Sequence, residues 1–384
     1  MSNKKQILEG SQAIALIIKN IEPAVVSAYP ITPQTHIVED LAKFKADGKA
    51  NYEYVRSESE FSAASIVLGA SAKGVRTYSA TSSQGLLLMV EVVYNISGMR
   101  LPVVMTLANR AVSAPINIWN DHSDAMAIRD AGWLMFFAEN NQEAVEQHLL
   151  AFKVAEKMSL PAFVNVDGFI LTHCYEPVYI PDKKIIKKFL PSYKPKKGTY
   201  LDSKNPVTLG AFMSPQHFQE NKEKFCNNFS QSAKEINLEY LKLQKLLYPE
   251  KKINSKNDNA FFEYVGPKNP DLIIIAMGSM IGTVKTTIEE NKLKKVGVLK
   301  IRTYRPFPAT EIYGIIKSVK NIAVLEKAVS PGNFSPLYLD IKSICSDKQI
   351  VKNFITGLGG KDINQDTIKK ITDKFSSQKK INFI

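Results

Sequence analysis

Residues 24–44 read AVVSAYPITPQTHIVEDLAKF, and the fold follows from how that stretch divides. Residues 24–28 form a short, continuous apolar run of the kind that makes a buried strand. Tyr29-Pro30-Ile31-Thr32-Pro33 cannot continue into a helix, because each proline fixes φ and lacks an N–H. From His36 to Phe44 the apolar positions 37, 38, 41 and 44 recur at helical spacing. Strand, stiff turn and helix in this order are half of a βαβ unit.

The same alternation extends on both sides. Strand-like runs occupy residues 52–55, 77–81, 103–107, 133–137 and 162–166, and helical stretches lie at 13–19, 58–73, 84–96 and 142–157. Short apolar strands separated by helices predict a mostly parallel sheet covered on both faces. In such sheets the ligand site lies at the carboxyl ends of the strands, so the loops after each strand carry the interest. Residues 178–200 are rich in Lys and Pro, and 221–256 are polar and helix-prone. A second α/β pattern then begins, with strands at 271–276, 296–301, 321–325 and 351–355 and helices at 281–290 and 311–318. We expect three parts: a first α/β domain over 1–177, a connecting region over 178–265, and a C-terminal α/β domain over 266–384.

Bulk composition excludes several classes. The 384 residues are 45% hydrophobic and 23% charged, with no low-complexity block. No apolar run approaches the roughly 20 residues that span a bilayer, and MSNKKQILEGSQ has no signal-peptide pattern, so a cytoplasmic protein without membrane attachment is expected. Three scattered cysteines (Cys174, Cys226, Cys345) cannot hold a four-cysteine cluster or a disulfide framework. Five histidines (His36, His122, His148, His173, His217) show no metal-ligand spacing, so no metal site is expected within the chain. The net charge of +13 is uneven: residues 1–180 hold 14 Lys/Arg against 18 Asp/Glu, and residues 181–384 hold 36 against 19. A lysine-rich solvated surface accounts for this, and a dock for an acidic protein is the competing reading, testable by salt. Without arginine clusters or interleaved aromatics, nucleic acid is not an expected partner.

Four strand-end loops hold candidate chemistry. Thr32 sits between two prolines with its hydroxyl available, or serves as a helix N-cap. Arg56-Ser57-Glu58-Ser59-Glu60 opens an apolar helix. Ser57 and Glu60 have capping-box spacing, yet the helix is apolar nearly all round and so predicted to be buried, where a carboxyl can share a proton with a ligand. Thr81-Ser82-Ser83-Gln84-Gly85 combines small residues with a helix start, suited to close backbone approach or to a plain serine-capped turn. Arg110 follows the fourth strand, where a planar guanidinium can clamp a carboxylate or form an internal salt bridge. Asp121-His122 suggests acid–base work, although Asp121 or Ser123 also fits as a helix cap. GxSxG and GxGxxG are absent, and Gly357-Leu358-Gly359-Gly360 fits no phosphate loop.

Taken together, EGSQAIALIIKNIEPAVVSAYPITPQT, SESEFSAASIVLGA, TSSQGLLLM, ANRAVSAPINIWNDHSD and VNVDGFILTH, with the later Ile301-Arg302-Thr303-Tyr304-Arg305-Pro306-Phe307-Pro308, resemble the alpha subunit of the pyruvate:ferredoxin oxidoreductases, within the 2-oxoacid:ferredoxin oxidoreductase family. The resemblance implies a thiamine-diphosphate pyrimidine-type domain followed by a transketolase-C-terminal-like α/β domain. It implies oxidative decarboxylation of pyruvate, with coenzyme A taking the acetyl group and ferredoxin the electrons. Glu60 matches the glutamate that hydrogen-bonds the aminopyrimidine N1′ of thiamine diphosphate, with Pro30 also at the cofactor. Thr32 and Arg110 match the groups at the substrate carboxylate and carbonyl.

The resemblance also implies a missing half. The family binds the diphosphate through Mg²⁺ with a Gly-Asp-Gly segment, which this sequence lacks; Asp167-Gly168 follows Val166 instead. Mg²⁺ and the iron–sulfur clusters are therefore expected on partner chains: a beta subunit completing the cofactor site, with gamma and iron–sulfur delta subunits. Ser83-Gln84-Gly85 stands where the 2-oxoglutarate relatives typically carry Ser-Gly-Pro-Gly, which favours pyruvate; an alpha subunit for another 2-oxoacid, 2-oxoisovalerate or 2-oxoglutarate, is the alternative. A non-catalytic scaffold of the same fold is the reading from another class.

Overall fold

The computed structural model describes residues 4–252, 254–379 and 381–384. The chain opens with β1 (Gln6–Glu9) and α1 (Gly10–Ile21), and β2 (Val25–Ala28) leads through the proline turn into α2 (Thr35–Ala46). Next come β3 (Glu53–Arg56), α3 (Glu60–Ala72), β4 (Thr77–Thr81), α4 (Ser83–Leu88), α5 (Val90–Gly98), β5 (Val104–Asn109) and α6 (Ser123–Ala127). β6 (Leu134–Phe137), α7 (Asn141–Met158), β7 (Ala162–Asp167) and β8 (Tyr175–Val178) complete the first set of strands. Two helices follow, α8 (Lys183–Phe189) and α9 (Pro215–Leu247), and then β9 (Phe262–Val265). The last part holds β10 (Leu272–Met277), α10 (Met280–Glu290), β11 (Val296–Ile301), β12 (Thr303–Arg305), α11 (Ala309–Ile316) and β13 (Asn321–Glu326). It ends with α12 (Pro336–Ser343), β14 (Ile350–Ile355), α13 (Gln365–Lys374) and β15 (Ile381–Phe383).

The first large sheet has the order β12-β6-β7-β5-β4-β2-β3 and is parallel except for β12. Every residue of β4, β5, β6 and β7 is buried, as expected for strands covered on both faces. α1, α2 and α7 form one covering group, and α3, α4 and α5 another. The second sheet, β15-β14-β13-β10-β11-β9, is parallel except for its edge strand β9. β9 lies within the stretch read from sequence as connecting region. Ile274, Leu325 and Phe354 pack with α10 and α13 in a separate core cluster, whereas Ile273, Leu299 and Ile322 merge with the core of the first sheet.

Two features depart from the linear reading. The stretch 84–96 is two helices separated at Met89, not one. β12 leaves the second sheet and pairs antiparallel with β6 of the first, with Arg302 alone between β11 and β12. Among the described residues no helix is long and apolar enough to cross a membrane.

Candidate active site

In the first sheet the chain passes from β2 outward to β3 and then back across to β4, so the order reverses between β2 and β4. A crevice opens at the carboxyl ends of strands at such a reversal. The loops that border it are residues 29–33 after β2 and Thr81–Gly85 at the end of β4. Buried Gln34 ties them, donating from Nε2 to Ala80 O at 2.6 Å.

Thr32 and Arg110 meet here. Arg110, at the end of β5, donates from Nη1 to Thr32 O at 3.0 Å and from Nε to Asn117 O at 2.9 Å. Among the described residues no acidic side chain pairs with its guanidinium, so the internal salt bridge that the sequence allowed is not seen there. Nη2 has no hydrogen-bond partner among the described residues. Burial pulls the pKa of Arg110 down and nearby Asp124 opposes this. Thr32 is exposed and its hydroxyl makes no hydrogen bond among the described residues; it does not cap α2, whose N-cap position is Gln34. Pro30 is exposed in the same turn.

Glu60 lies at the first position of α3 and is 8% exposed. The capping box does not form. The N-cap is Ser59, whose hydroxyl accepts from Ser62 N at 3.2 Å, and Ser57 Oγ is buried without a partner. With the cap supplied by Ser59, the Glu60 carboxylate has no hydrogen-bond or ion-pair partner among the described residues. It packs against Gly85: a Cβ there would stand 2.7 Å from Glu60 Oε1 and 2.6 Å from Thr81 Oγ1. Thr81 Oγ1 is itself buried without a partner. An unpartnered carboxylate, an orphaned hydroxyl and a cradle that only glycine leaves open fit a ligand carrying hydrogen-bonding nitrogens.

Of the two readings of Thr81–Gly85, the serine-capped turn is not formed. Ser82 Oγ donates to Ala108 O at 2.5 Å and Ser83 Oγ to Ala111 O at 2.6 Å, so both bind the β5 segment. Asp124, for which no role is read from the sequence, organises this region. Its carboxylate accepts from Ser83 N, Arg110 N and Asn109 Nδ2, each at 3.0 Å, and from Ala125 N at 2.7 Å. Burial pushes its pKa up to about 6 against these hydrogen bonds. The signal was an aspartate in a loop following an arginine, too common a pattern to single out.

Asp121 and His122 do not act on one another. Asp121 accepts from Ser123 N at 2.9 Å and from Gly359 N at 3.2 Å. His122 Nε2 contacts Asp167 Oδ1 at 2.7 Å. Asp167 also receives Lys327 Nζ at 2.7 Å and Ser279 N at 2.9 Å, joining the ends of β7, β13 and β10. Burial works to raise the Asp167 pKa, but Lys327 and His122 hold it well below the usual carboxylate range. These residues fasten the two sheets together beside the crevice.

The rim is apolar and open. Ile116 is 81% and Trp119 50% exposed on the loop after Arg110, with Tyr29 and Phe61 also exposed. α3 was expected to be buried nearly all round. Ala63, Ala64 and Val67 are, but Phe61 and Gly69 face outward and Ile66 and Leu68 are only partly covered.

Comparison with known proteins follows the same lines. A family described as pyruvate flavodoxin/ferredoxin oxidoreductase, thiamine diphosphate-binding, matches residues 17–241. Pyruvate:ferredoxin oxidoreductase core domain II matches residues 270–368. Pyruvate synthase subunit PorA of Methanocaldococcus jannaschii is 43% identical over 95% of this chain and 93% of its own length. The PorA subunit of Pyrococcus furiosus is 41% identical over 98% and 96%. Ketoisovalerate oxidoreductase subunit VorA of Pyrococcus abyssi is 38% identical over 96% and 93%. The solved 2-oxoglutarate:ferredoxin oxidoreductase from Magnetococcus marinus, with 2-oxoglutarate, coenzyme A and succinyl-CoA bound, superposes with a TM-score of 0.72. It covers 97% of this chain and 66% of that one at 18% identity, a likeness of fold alone.

Proposed function

The chain belongs to the pyruvate:ferredoxin oxidoreductase family, and from that premise we propose that it is the alpha subunit of a multi-subunit enzyme that oxidatively decarboxylates pyruvate. The products are acetyl-CoA, CO2 and reduced ferredoxin. The observation that carries the site assignment is the unpartnered Glu60 carboxylate, held against Gly85 at the β2/β4 crevice.

When bound, thiamine diphosphate would supply a nucleophilic thiazolium carbon and an electron sink for the decarboxylation. Glu60 would hold a proton at the aminopyrimidine N1′, with Thr81 Oγ1 beside it. Pro30 would border the ring. Arg110 would direct its free Nη2 to the substrate carboxylate, and the Thr32 hydroxyl would donate to the same ligand. The Arg110 Nη1 bond to Thr32 O keeps those two groups together before substrate arrives.

The partner reading rests on the open apolar rim and the half-covered α3. A helix that is apolar all round fits burial, and here another chain would cover its outer face. A beta subunit would supply the diphosphate and Mg²⁺ contacts, and gamma and delta subunits the electron path to ferredoxin.

Glu60→Gln tests the assignment. The assembled enzyme should keep its subunits and thermal midpoint while C2–H exchange of bound thiamine diphosphate falls by about 100-fold or more. Exchange at the original rate would return Glu60 to a structural role. Ferredoxin reduction with pyruvate, 2-oxoisovalerate and 2-oxoglutarate in turn identifies the substrate, and pyruvate is expected to give the largest kcat/KM.

A further inference from the structure

Three residues remote in sequence meet away from the Glu60 pocket. Glu9 ends β1, His36 lies in the first turn of α2, and His173 follows β7. One carboxylate oxygen and two imidazole nitrogens from these residues lie within 4.8 Å of one another. Glu9 Oε1 is 2.7 Å from His36 Nδ1, and the rings of His36 and His173 are 4.6 Å apart. The backbone fixes two of the three. Gly10 N donates to Cys174 O at 3.1 Å and Ser11 N to Thr172 O at 2.9 Å, which sets Glu9 and His173 side by side. Gly10 is needed for this approach, since a Cβ there would overlap Leu171 O.

Asp40 lies one turn after His36 on the same face of α2. It makes no hydrogen bond or ion pair among the described residues. Burial raises its pKa, and the Glu9 carboxylate adds to the rise. At the convergence itself one carboxylate, that of Glu9, adjoins two imidazoles, and among the described residues no Lys or Arg bonds it.

We propose that Glu9, His36 and His173 form a site for a zinc-class divalent cation. The donor set selects the ion: two imidazoles and a carboxylate suit Zn²⁺, Co²⁺ or Ni²⁺, whereas Mg²⁺ and Ca²⁺ take oxygen ligands. Thr172 Oγ1 holds His173 Nδ1 at 2.7 Å, so His173 would coordinate through Nε2. A second hydrogen bond on the other ring nitrogen is the usual arrangement for a ligating histidine. Bonds of about 2.0–2.1 Å place tetrahedral ligand atoms roughly 3.3 Å apart. The widest separation must shrink and the Glu9–His36 hydrogen bond must open, which His36 can accommodate because its side chain is 48% exposed. The bound ion would cross-link β1, α2 and the turn after β7, bracing the helix that follows the Thr32 turn. This holds whatever ligand the crevice takes.

The full chain, stripped with chelator, is titrated with Zn²⁺ against a chromophoric competitor and with Co²⁺ by visible absorption. One equivalent should bind, with the intense d–d bands of tetrahedral Co²⁺ and a higher thermal midpoint. His36→Ala and His173→Ala should each weaken binding by about 100-fold and abolish the metal-dependent rise in midpoint. His36→Gln, at an exposed position, guards against misfolding and should behave as His36→Ala. The absence of stoichiometric binding, or unchanged binding in all three variants, would overturn the proposal and leave Glu9–His36 as a plain surface pair.

Discussion

At the residue scale, one missing methyl group decides where the Glu60 carboxylate can lie. Gly85→Ala would bring a Cβ to 2.7 Å from Glu60 Oε1 and 2.6 Å from Thr81 Oγ1. Gly85 lies inside α4 without a positive φ, so alanine is compatible with its backbone and the clash falls on the carboxylate. Overpacking of this kind costs about 1–3 kcal/mol. Urea unfolding should register that loss, and affinity for thiamine diphosphate should fall by about tenfold or more as Glu60 is displaced. Unchanged cofactor affinity would mean that the carboxylate does not face the ligand. Spacing alone favours Glu60 as the capping-box partner of Ser57. Neighbouring Ser59 takes the cap instead, a competition between two serines that only backbone geometry decides.

At the element scale, Asp124 ties two strand ends, those of β4 and β5, into one support. Ser83 N, Arg110 N and Asn109 Nδ2 all depend on its carboxylate. Asp124→Ala leaves buried N–H groups unpaired, at about 1–3 kcal/mol for each such group. We expect a loss of several kcal/mol by denaturant unfolding, with Arg110 freed to drift and KM for the 2-oxoacid raised more than kcat is lowered. Equal falls in kcat and kcat/KM would instead place Asp124 in the chemistry. The strands and helices around this support were legible in advance: β2, β4, β5 and β7 lie within two residues of their expected positions. The Asp124 support was not, because its donors come from residues 83, 109 and 110 and meet it only when the sheet is assembled. α3 misled for a related reason. Its apolar composition predicts burial, and within the chain its outer face stays open.

At the scale of the molecule, the two sheets are fastened by a buried cluster. Lys327 and Asp167 are each 1% exposed and form an ion pair at 2.7 Å, with His122 and Ser279 completing the shell of Asp167. Because the Asp167 pKa is depressed in the folded chain, its contribution is present above the unfolded value of about 3.8 and is lost as pH falls below it. The Asp167 contribution should therefore hold from pH 7 to about 5 and decline below about pH 4. Asp167→Asn removes part of that acid dependence and strands Lys327 in the interior, at about 3–5 kcal/mol. Urea titrations between pH 3 and 7 check both points; an acid limb as steep in Asp167→Asn as in the parent would assign the pH dependence to other carboxylates. β12 is the second fastening, a strand lent by the C-terminal part to the sheet of the N-terminal part.

By itself the sequence determined the alternation of strand and helix, the mostly parallel sheets, and the strand ends that carry Thr32, Glu60 and Arg110. These follow from periodicity and from proline and glycine chemistry, which act over a few residues. Only the tertiary structure decided which of those ends meet, that Arg110 reaches the carbonyl of Thr32 seventy-eight residues away, that Glu60 is left unpartnered, and that Glu9, His36 and His173 converge. Each is a contact between segments far apart in the chain. Its existence depends on strand order and crossover, which local patterning restricts but does not select.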